Sequence, residues 1–106
     1  MLSRKVVANT YAKTAMNAAL EAVTKILAKE LAPIRVNAVS PGLTRTTAYK
    51  KMDQAARETM YANAKNQLPV GKVGEAHDVA KAYLFAIETP YMTGAIIDVD
   101  GGALLN

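Results

Sequence analysis

The chain has 106 residues, 51% of them apolar, and a formal net charge of +4. Because it contains no cysteine, a disulfide, a thiolate zinc site and a cysteine nucleophile are all excluded, which fits a cytoplasmic protein. No apolar run approaches the roughly 20 residues that a membrane-spanning helix needs, so we expect one soluble domain over residues 1–106 with no membrane partner.

The basic side chains are scattered along the chain and form no tract that interleaves with aromatic residues. We therefore interpret the positive charge as solvated surface and predict no nucleic-acid partner. The single histidine, His77, stands in the first turn of a predicted helix beside Glu75 and Asp78. This position indicates helix capping, so we predict no catalytic role for His77 and no metal site.

The first predicted element is a helix over residues 14–32, which Asn9 or Thr10 can cap and Pro33 stops. Its apolar residues recur at helical spacing: Met16, Ala19, Leu20, Val23, Ile26, Leu27 and Leu31. Its polar residues fall on a different side: Lys13, Asn17, Glu21, Thr24 and Lys25.

A strand over residues 34–39 follows, closed by the turn sequence Ser40-Pro41-Gly42. Residues 43–51 are polar and predict a loop, and residues 53–66 show a weaker helical pattern. A third helix over 75–88 precedes a last strand over 95–99, which Gly101-Gly102 ends. The order helix, strand, loop, helix, helix, strand predicts an α/β protein with a parallel sheet.

Four segments then carry a resemblance that covers nearly the whole chain. They are residues 27–33 (Leu-Ala-Lys-Glu-Leu-Ala-Pro), residues 34–42, residues 68–74 (Leu-Pro-Val-Gly-Lys-Val-Gly) and residues 91–102, which end in Asp-Gly-Gly. In this order and spacing they resemble the C-terminal half of the short-chain dehydrogenase/reductase family. The resemblance implies about two strands and three helices from the C-terminal part of a Rossmann-like doubly wound parallel sheet. It also implies that the N-terminal dinucleotide-binding half, with its glycine-rich turn, is absent from this chain.

The family carries a Tyr-x-x-x-Lys catalytic pair, and aligning on Glu21 puts the Tyr position at Lys13 and the Lys position at Asn17. In the family the Tyr phenol passes a proton to the substrate carbonyl, while the Lys lowers the Tyr pKa and holds the nicotinamide ribose. An Asn could hydrogen-bond the ribose but carries no charge. The alternative is that Lys13 and Asn17 are exposed helix-start residues, and we expect neither to be catalytic. Tyr11 does not rescue the motif, since Ala15 stands four residues after it.

Pro41, Gly42, Thr44 and Thr46 match the family segment that contacts the nicotinamide end of the cofactor. The resemblance implies that they would bind NAD or NADP in a complete site. The alternative for the threonines is an ordinary Thr-rich surface loop. We expect this chain alone to bind no cofactor.

Two hypotheses about function follow from the resemblance. In the first, the chain is the C-terminal half of a divergent NAD(P)H-dependent oxidoreductase of carbonyl or alcohol substrates and is inactive alone. In the second, it is a non-catalytic oligomerisation or interaction module. Because a small sheet leaves an unpaired edge, we also expect a homo-oligomer with the last strand or the first helix at its interface.

Overall fold

A computed structural model describes residues 3–5 and 7–106, and these residues form three α-helices and four strands. The helices are α1 (Tyr11–Glu30), α2 (Gln54–Gln67) and α3 (Ala76–Glu88). The strands are β1 (Ala38–Pro41), β2 (Thr44–Arg45), β3 (Gly74–Glu75) and β4 (Ile96–Val99). The predicted α/β class and the three helices are confirmed. Among the described residues, none of the helices combines the length and the apolar character that crossing a membrane requires.

The main sheet consists of β1 and β4, which run parallel with Ala38 opposite Ile96 and Pro41 opposite Val99. The predicted strand 34–39 is therefore wrong at both ends. The residues before Ala38 contact the irregular segment that precedes β4. The Asn37 side chain donates to the Met92 carbonyl and accepts from the Ala95 amide, each at 3.0 Å.

Pro41 is the last residue of β1 and pairs with Val99, although proline lacks a backbone N–H. Gly42 donates its amide to the Val99 carbonyl at 2.9 Å. Backbone groups of successive strand residues point to alternate edges, so the Pro41 nitrogen faces away from β4. The ladder therefore loses no donor at the proline.

A second parallel pair joins β2 to β3, with Thr44 opposite Gly74 and Arg45 opposite Glu75. The strand β2 and the 3₁₀ turn at Thr47–Tyr49 lie in the segment 43–51, for which the sequence predicted only a loop. A strand of two residues is too short to show an alternating pattern, which explains the difference.

The helix α1 begins three residues earlier than predicted and turns its more polar side toward the rest of the molecule. Thr24 and Ala28 are buried on that side, and Asn17 and Glu21 are half-buried. The Thr24 hydroxyl donates to the Leu20 carbonyl at 2.7 Å, which satisfies it inside the protein. The apolar side faces outward, with relative exposures of 67% at Met16, 64% at Leu20 and 53% at Ile26.

The other two helices match their predicted ranges within one residue because local caps fix their starts. The Asp53 carboxylate accepts from the Ala56 amide at 3.3 Å and caps α2. At α3 the side chains of Glu75 and Asp78 form a reciprocal capping box, in which the Glu75 amide donates to Asp78 at 2.9 Å. This hydrogen bond lowers the pKa of Asp78.

The C-terminal end of α3 is held by Arg35. Its guanidinium donates to the carbonyls of Ala86 at 2.8 Å, Ile87 at 3.0 Å and Met92 at 3.1 Å. A cation is favourable at the negative end of a helix, where the last carbonyls have no helical partner. Arg35 therefore ties the start of β1 to the end of α3.

Two of the motif segments pack directly on each other. Gly101 and Gly102 have φ values of 66° and 88°, which favour glycine. A Cβ added at Gly102 would lie 2.8 Å from Pro69 Cγ, and one at Gly101 would lie 2.9 Å from Val70 Cγ1. The Asp-Gly-Gly turn thus packs closely against residues 68–70. Among the described residues, the buried apolar side chains are small except for one aromatic ring: Ala28, Tyr61, Val73, Ala82 and Ala103.

Candidate functional site

An open cleft of about 660 Å³ lies between α1 and β1. Its lining comes from α1, β1, the residues after β1, and three outlying side chains: Asn17, Leu20, Glu21, Thr24, Asn37, Ala38, Val39, Ser40, Pro41, Gly42, Leu43, Tyr49, Tyr83 and Ile96. In open α/β sheets, ligands bind outside the carboxyl ends of the parallel strands. The end of this cleft at Pro41, Gly42 and Leu43 occupies such a position.

The direction of α1 places its first half at the same end. The Lys25 ammonium donates to the Gly94 carbonyl at 3.3 Å, and Gly94 precedes the amino end of β4. A Cβ added at Gly94 would also lie 3.5 Å from that of Ala28. Because the second half of α1 lies at the amino ends of the strands, Asn17 in its first half lies toward their carboxyl ends.

The structure brings three of the six predicted site residues together. Asn17, Pro41 and Gly42 line the cleft, whereas Lys13, Thr44 and Thr46 are not among the described lining residues. The roles predicted for all six stay predictions.

Three of these residues, Asn17, Thr44 and Thr46, have side chains with a local partner. The Asn17 amide donates to the Lys13 carbonyl at 2.9 Å, within the first turns of α1. The Thr44 hydroxyl donates to the Gly42 carbonyl at 3.0 Å, and the Thr46 hydroxyl accepts from the Ala48 amide at 3.2 Å. The two threonines therefore shape the chain that leaves β1.

A close backbone contact explains why glycine stands at position 42. A Cβ there would lie 2.7 Å from the Asp100 Cα and 2.9 Å from the Asp100 Cβ. No real Cβ tolerates such a distance to backbone, so any larger residue would push β1 and the segment after β4 apart. Gly42 thus sets the shape of the cleft floor.

A charge cluster joins the N-terminal segment to α1 and β4. The Arg4 guanidinium donates to both Asp98 carboxylate oxygens and lies 3.4 Å from the Glu21 carboxylate. The Ser3 hydroxyl also donates to Glu21, at 2.7 Å. The hydrogen bond to Asp98 raises the pKa of Arg4, and the same bond lowers the pKa of Asp98, helped by the Ser40 side chain. This cluster could not be predicted from the sequence, because its hydrogen bonds join residues that are 17 to 94 positions apart.

An aromatic group at the cleft was also missed. The Tyr49 ring meets the Tyr61 ring edge to face, with centroids 6.2 Å apart and planes at 89°. The Arg45 guanidinium carbon lies 4.3 Å from the centre of the Tyr61 ring. These contacts connect a loop to the next helix, and no periodic signal in a sequence marks such a pairing.

The described cleft lining fits the nicotinamide and ribose end of a nicotinamide cofactor better than its phosphates. Asn17 and the backbone at Pro41 and Gly42 offer hydrogen-bonding groups suited to an amide or a ribose hydroxyl. None of the described residues that line the cleft is Lys, Arg or His, so no cation there could pair with a phosphate. No group of His, Cys, Asp and Glu among residues 3–5 and 7–106 is arranged to hold a metal ion.

Comparison with known proteins gives consistent matches over the whole chain. Residues 1–103 match the sequence profile of a family described as Enoyl-(Acyl carrier protein) reductase. The short-chain dehydrogenase/reductase ATR9 of Stachybotrys chlorohalonatus is 46% identical over 82% of this chain. Carbonyl reductase family member 4 of Danio rerio is 44% identical over 87% of it.

A solved small-chain dehydrogenase in complex with NADPH is 71% identical and superposes over 100% of this chain with a TM-score of 0.98. The chain spans 34% and 37% of the two curated relatives and 48% of this solved protein. The similarity therefore extends through all of this chain and through less than half of each relative.

Proposed function

Because the chain belongs to the short-chain dehydrogenase/reductase family, we propose that it forms the C-terminal part of an NAD(P)-dependent oxidoreductase of carbonyl or alcohol substrates. The observation that carries this proposal is the meeting of Asn17, Pro41 and Gly42 in one cleft at the carboxyl end of β1. The NADPH complex of the 71% identical dehydrogenase supports the cofactor class. The proposal keeps the cytoplasmic setting expected from the sequence.

In this proposal the described residues hold one end of the cofactor. Asn17 hydrogen-bonds the ribose next to the nicotinamide, and the backbone at Pro41 and Gly42 supports the nicotinamide ring. The bound NAD(P) supplies or accepts the hydride. The cofactor phosphates need donors outside this cleft, since its described lining is without a cation.

We further propose that the 106 residues do not catalyse the reaction alone. Proton transfer to a carbonyl oxygen needs a group within hydrogen-bond reach of that oxygen. Lys13 stands at the family's Tyr position, yet it is exposed and is not among the described residues that line the cleft. The Asn17 amide cannot act as an acid or as a cation.

A chimera tests the proposed activity. In it, this chain replaces the matching 48% of the NADPH-bound dehydrogenase, so that the rest of the fold is present. We expect the chimera to bind NADPH and to oxidise it when a carbonyl compound is added, with the proton supplied by a group of the other half, because neither Lys13 nor Asn17 supplies it. The 106-residue chain alone should do neither. A folded chimera that binds NADPH but consumes none with any of a panel of aldehydes and ketones would contradict the proposal.

The second hypothesis, assembly, is favoured by a specific observation. The outward side of α1 is apolar, and α3 also exposes neighbouring apolar side chains at Leu84, Phe85 and Ile87. Exposed apolar surface of this kind favours association. We propose that copies of this chain associate through the apolar side of α1, a property compatible with the oxidoreductase function.

A further inference from the structure

Tyr49 stands at the mouth of the cleft, on the segment that leaves the carboxyl end of β1. It is the last residue of the 3₁₀ turn at Thr47–Tyr49, and its half-buried side chain lines the cleft with Pro41, Gly42 and Leu43. A substrate that meets the nicotinamide ring near Pro41 and Gly42 would therefore lie within reach of the Tyr49 ring.

The position of the Tyr49 ring is fixed by a neighbour that is itself buried. Tyr61, on α2, retains only 4% of its surface exposed and presents its ring edge to face at 6.2 Å from the Tyr49 ring. This is the arrangement that aromatic pairs prefer, because the positive edge of one ring meets the negative face of the other. The contact couples the cleft wall to α2.

Arg45 makes a second contact with the Tyr61 ring. Its guanidinium lies 4.3 Å from the Tyr61 ring centre, a favourable distance for a cation on an aromatic face. The Arg45 Nε is also 3.4 Å from the Glu75 carboxylate, and the backbone of Arg45 pairs with that of Glu75 through β2 and β3. Arg45 thus connects the Tyr49–Tyr61 pair to the start of α3.

The described wall around Tyr49 offers no cation to an anionic substrate. Its lining supplies the two rings of Tyr49 and Tyr83, several aliphatic side chains, four uncharged polar side chains and one carboxylate, that of Glu21. Because no described cation lines the cleft, an anionic substrate would lose hydration without gaining an ion-pair partner and would face the Glu21 carboxylate. A neutral, flat molecule would instead stack on the Tyr49 ring without this penalty.

We propose that Tyr49 is a specificity-determining residue that selects neutral, flat carbonyl compounds such as aryl ketones, and that Arg45 and Tyr61 are positioning residues for its ring. This inference deepens the proposed function by naming a substrate class for the same cleft. It assigns no catalytic step to any of the three side chains.

The test measures binding of two fluorinated probes of similar size to the 106-residue chain by ¹⁹F NMR. The neutral probe is 4-fluoroacetophenone and the anionic probe is 4-fluorobenzoate. We expect the chain to bind the ketone about tenfold more tightly than the benzoate. Tyr49→Ala should weaken ketone binding by roughly two- to tenfold, whereas Tyr49→Phe, which keeps the ring, should stay within about twofold of the original chain.

Matched variants separate positioning from general damage. Arg45→Ala should weaken ketone binding by about twofold or more, and Arg45→Lys, which keeps a cation over Tyr61, should recover most of it. Tyr91→Ala is the control, since Tyr91 is fully exposed and does not line the cleft. Circular dichroism shows whether each variant keeps its helices.

Three results would overturn the inference. They are equal losses in Tyr49→Ala and Tyr91→Ala, unchanged ketone binding in a folded Tyr49→Ala chain, and a lack of preference for the ketone over the benzoate. The test needs neither NADPH nor turnover, so its result is distinct from that of the chimera. If the chimera oxidised no NADPH but ketone binding depended on Tyr49, the proposed activity would be refuted and the proposed role of Tyr49 in binding would be supported.

Discussion

The sheet with α3 and the helix α1 are held in place by different kinds of contact. In the first region, backbone hydrogen bonds, the Arg35 guanidinium and close glycine contacts join β1, β4, α3 and residues 68–70. In the second, α1 is attached by a few polar side chains and leaves its apolar side exposed. Three of the four motif segments, residues 34–42, 68–74 and 91–102, therefore belong to one connected region. The helix α1, which contains part of the fourth, presents surface that another polypeptide segment can cover.

This difference teaches how the family motifs act in this chain. The absence of a side chain at Gly42 allows Asp100 to approach closely, and its absence at Gly102 allows Pro69 to do so. The Asn37 side chain hydrogen-bonds Met92 and Ala95, in the irregular segment before β4. These residues hold neighbouring segments together, and two of them, Asn37 and Gly42, also line the cleft. A substitution at one of these close contacts should therefore lower the free energy of unfolding more than a substitution at a contact of α1.

The largest effect is expected at Gly102. Gly102→Ala adds a Cβ only 2.8 Å from Pro69 Cγ at a φ of 88°, so it combines a clash with backbone strain. We expect a loss of about 2 to 4 kcal/mol in the free energy of unfolding, measured by urea denaturation. Gly71→Ala is the matched control, because Gly71 has a φ of 75° with nothing within 4 Å of the added Cβ. Gly71→Ala should lower the free energy of unfolding by about 1 kcal/mol. Equal losses for the two substitutions would show that the close contact with Pro69 adds nothing to the effect of backbone strain.

The next effect is expected at Arg35. Arg35→Ala removes three hydrogen bonds to carbonyls at the end of α3 and before β4, and should cost about 2 kcal/mol of unfolding free energy. Arg35→Lys keeps the charge but not the planar fork, so it should recover only part of the loss. Lys65→Ala, at an exposed position in the last turn of α2, is the control. If Arg35→Ala were no worse than Lys65→Ala, the sheet and α3 would not be the tighter region.

The apolar side of α1 should affect association instead of folding. Ile26→Glu places a charge on this side and should abolish association, with a change of unfolding free energy within about 0.5 kcal/mol for the separated chain. Light scattering over a range of concentrations measures the molar mass. Ala18→Glu adds the same charge at an exposed position on another side of α1 and should leave association intact. A monomer at all concentrations, before any substitution, would refute the association proposal.

The smallest effect is expected at Arg4 and depends on pH. The pKa of Asp98 is lower in the folded chain, so the pair stabilises the fold above the ordinary aspartate pKa and loses this effect as the pH falls through the folded value. The pair is partly exposed, and Arg4→Ala should cost about 0.2 to 1 kcal/mol near neutral pH. Urea denaturation at about pH 7 and about pH 2.5 should show this difference becoming smaller in acid. A difference that grows in acid would contradict the assigned ion pair.

The sequence predicted the elements whose ends are set locally. Asp53 and Glu75 cap α2 and α3 within a few residues of themselves, so both helices were placed within one residue. The range of β1 was wrong because it depends on where β4 begins, almost 60 residues later. The pairing of β2 with β3 left no pattern at all, since each strand has two residues.

The candidate site divides in the same way. Asn17, Pro41 and Gly42 were predicted from the family resemblance, and the fold places them in one cleft. Tyr49, Tyr61 and Arg45 could not be predicted, because their contacts join a loop to a helix through ring geometry. Charge pairs such as Arg4 with Asp98 depend likewise on the folded path of the chain.

A calorimetric titration of the 106-residue chain with NADPH tests the central claim most directly, which is that this chain supplies the nicotinamide end of a cofactor site but not its phosphate end. Since the described cleft lining holds no cation for the phosphates, we expect no saturable heat of binding at cofactor concentrations up to about 1 mM. Saturable binding with a Kd in the range of about 1 to 100 μM would contradict the account, because these residues would then hold the whole cofactor.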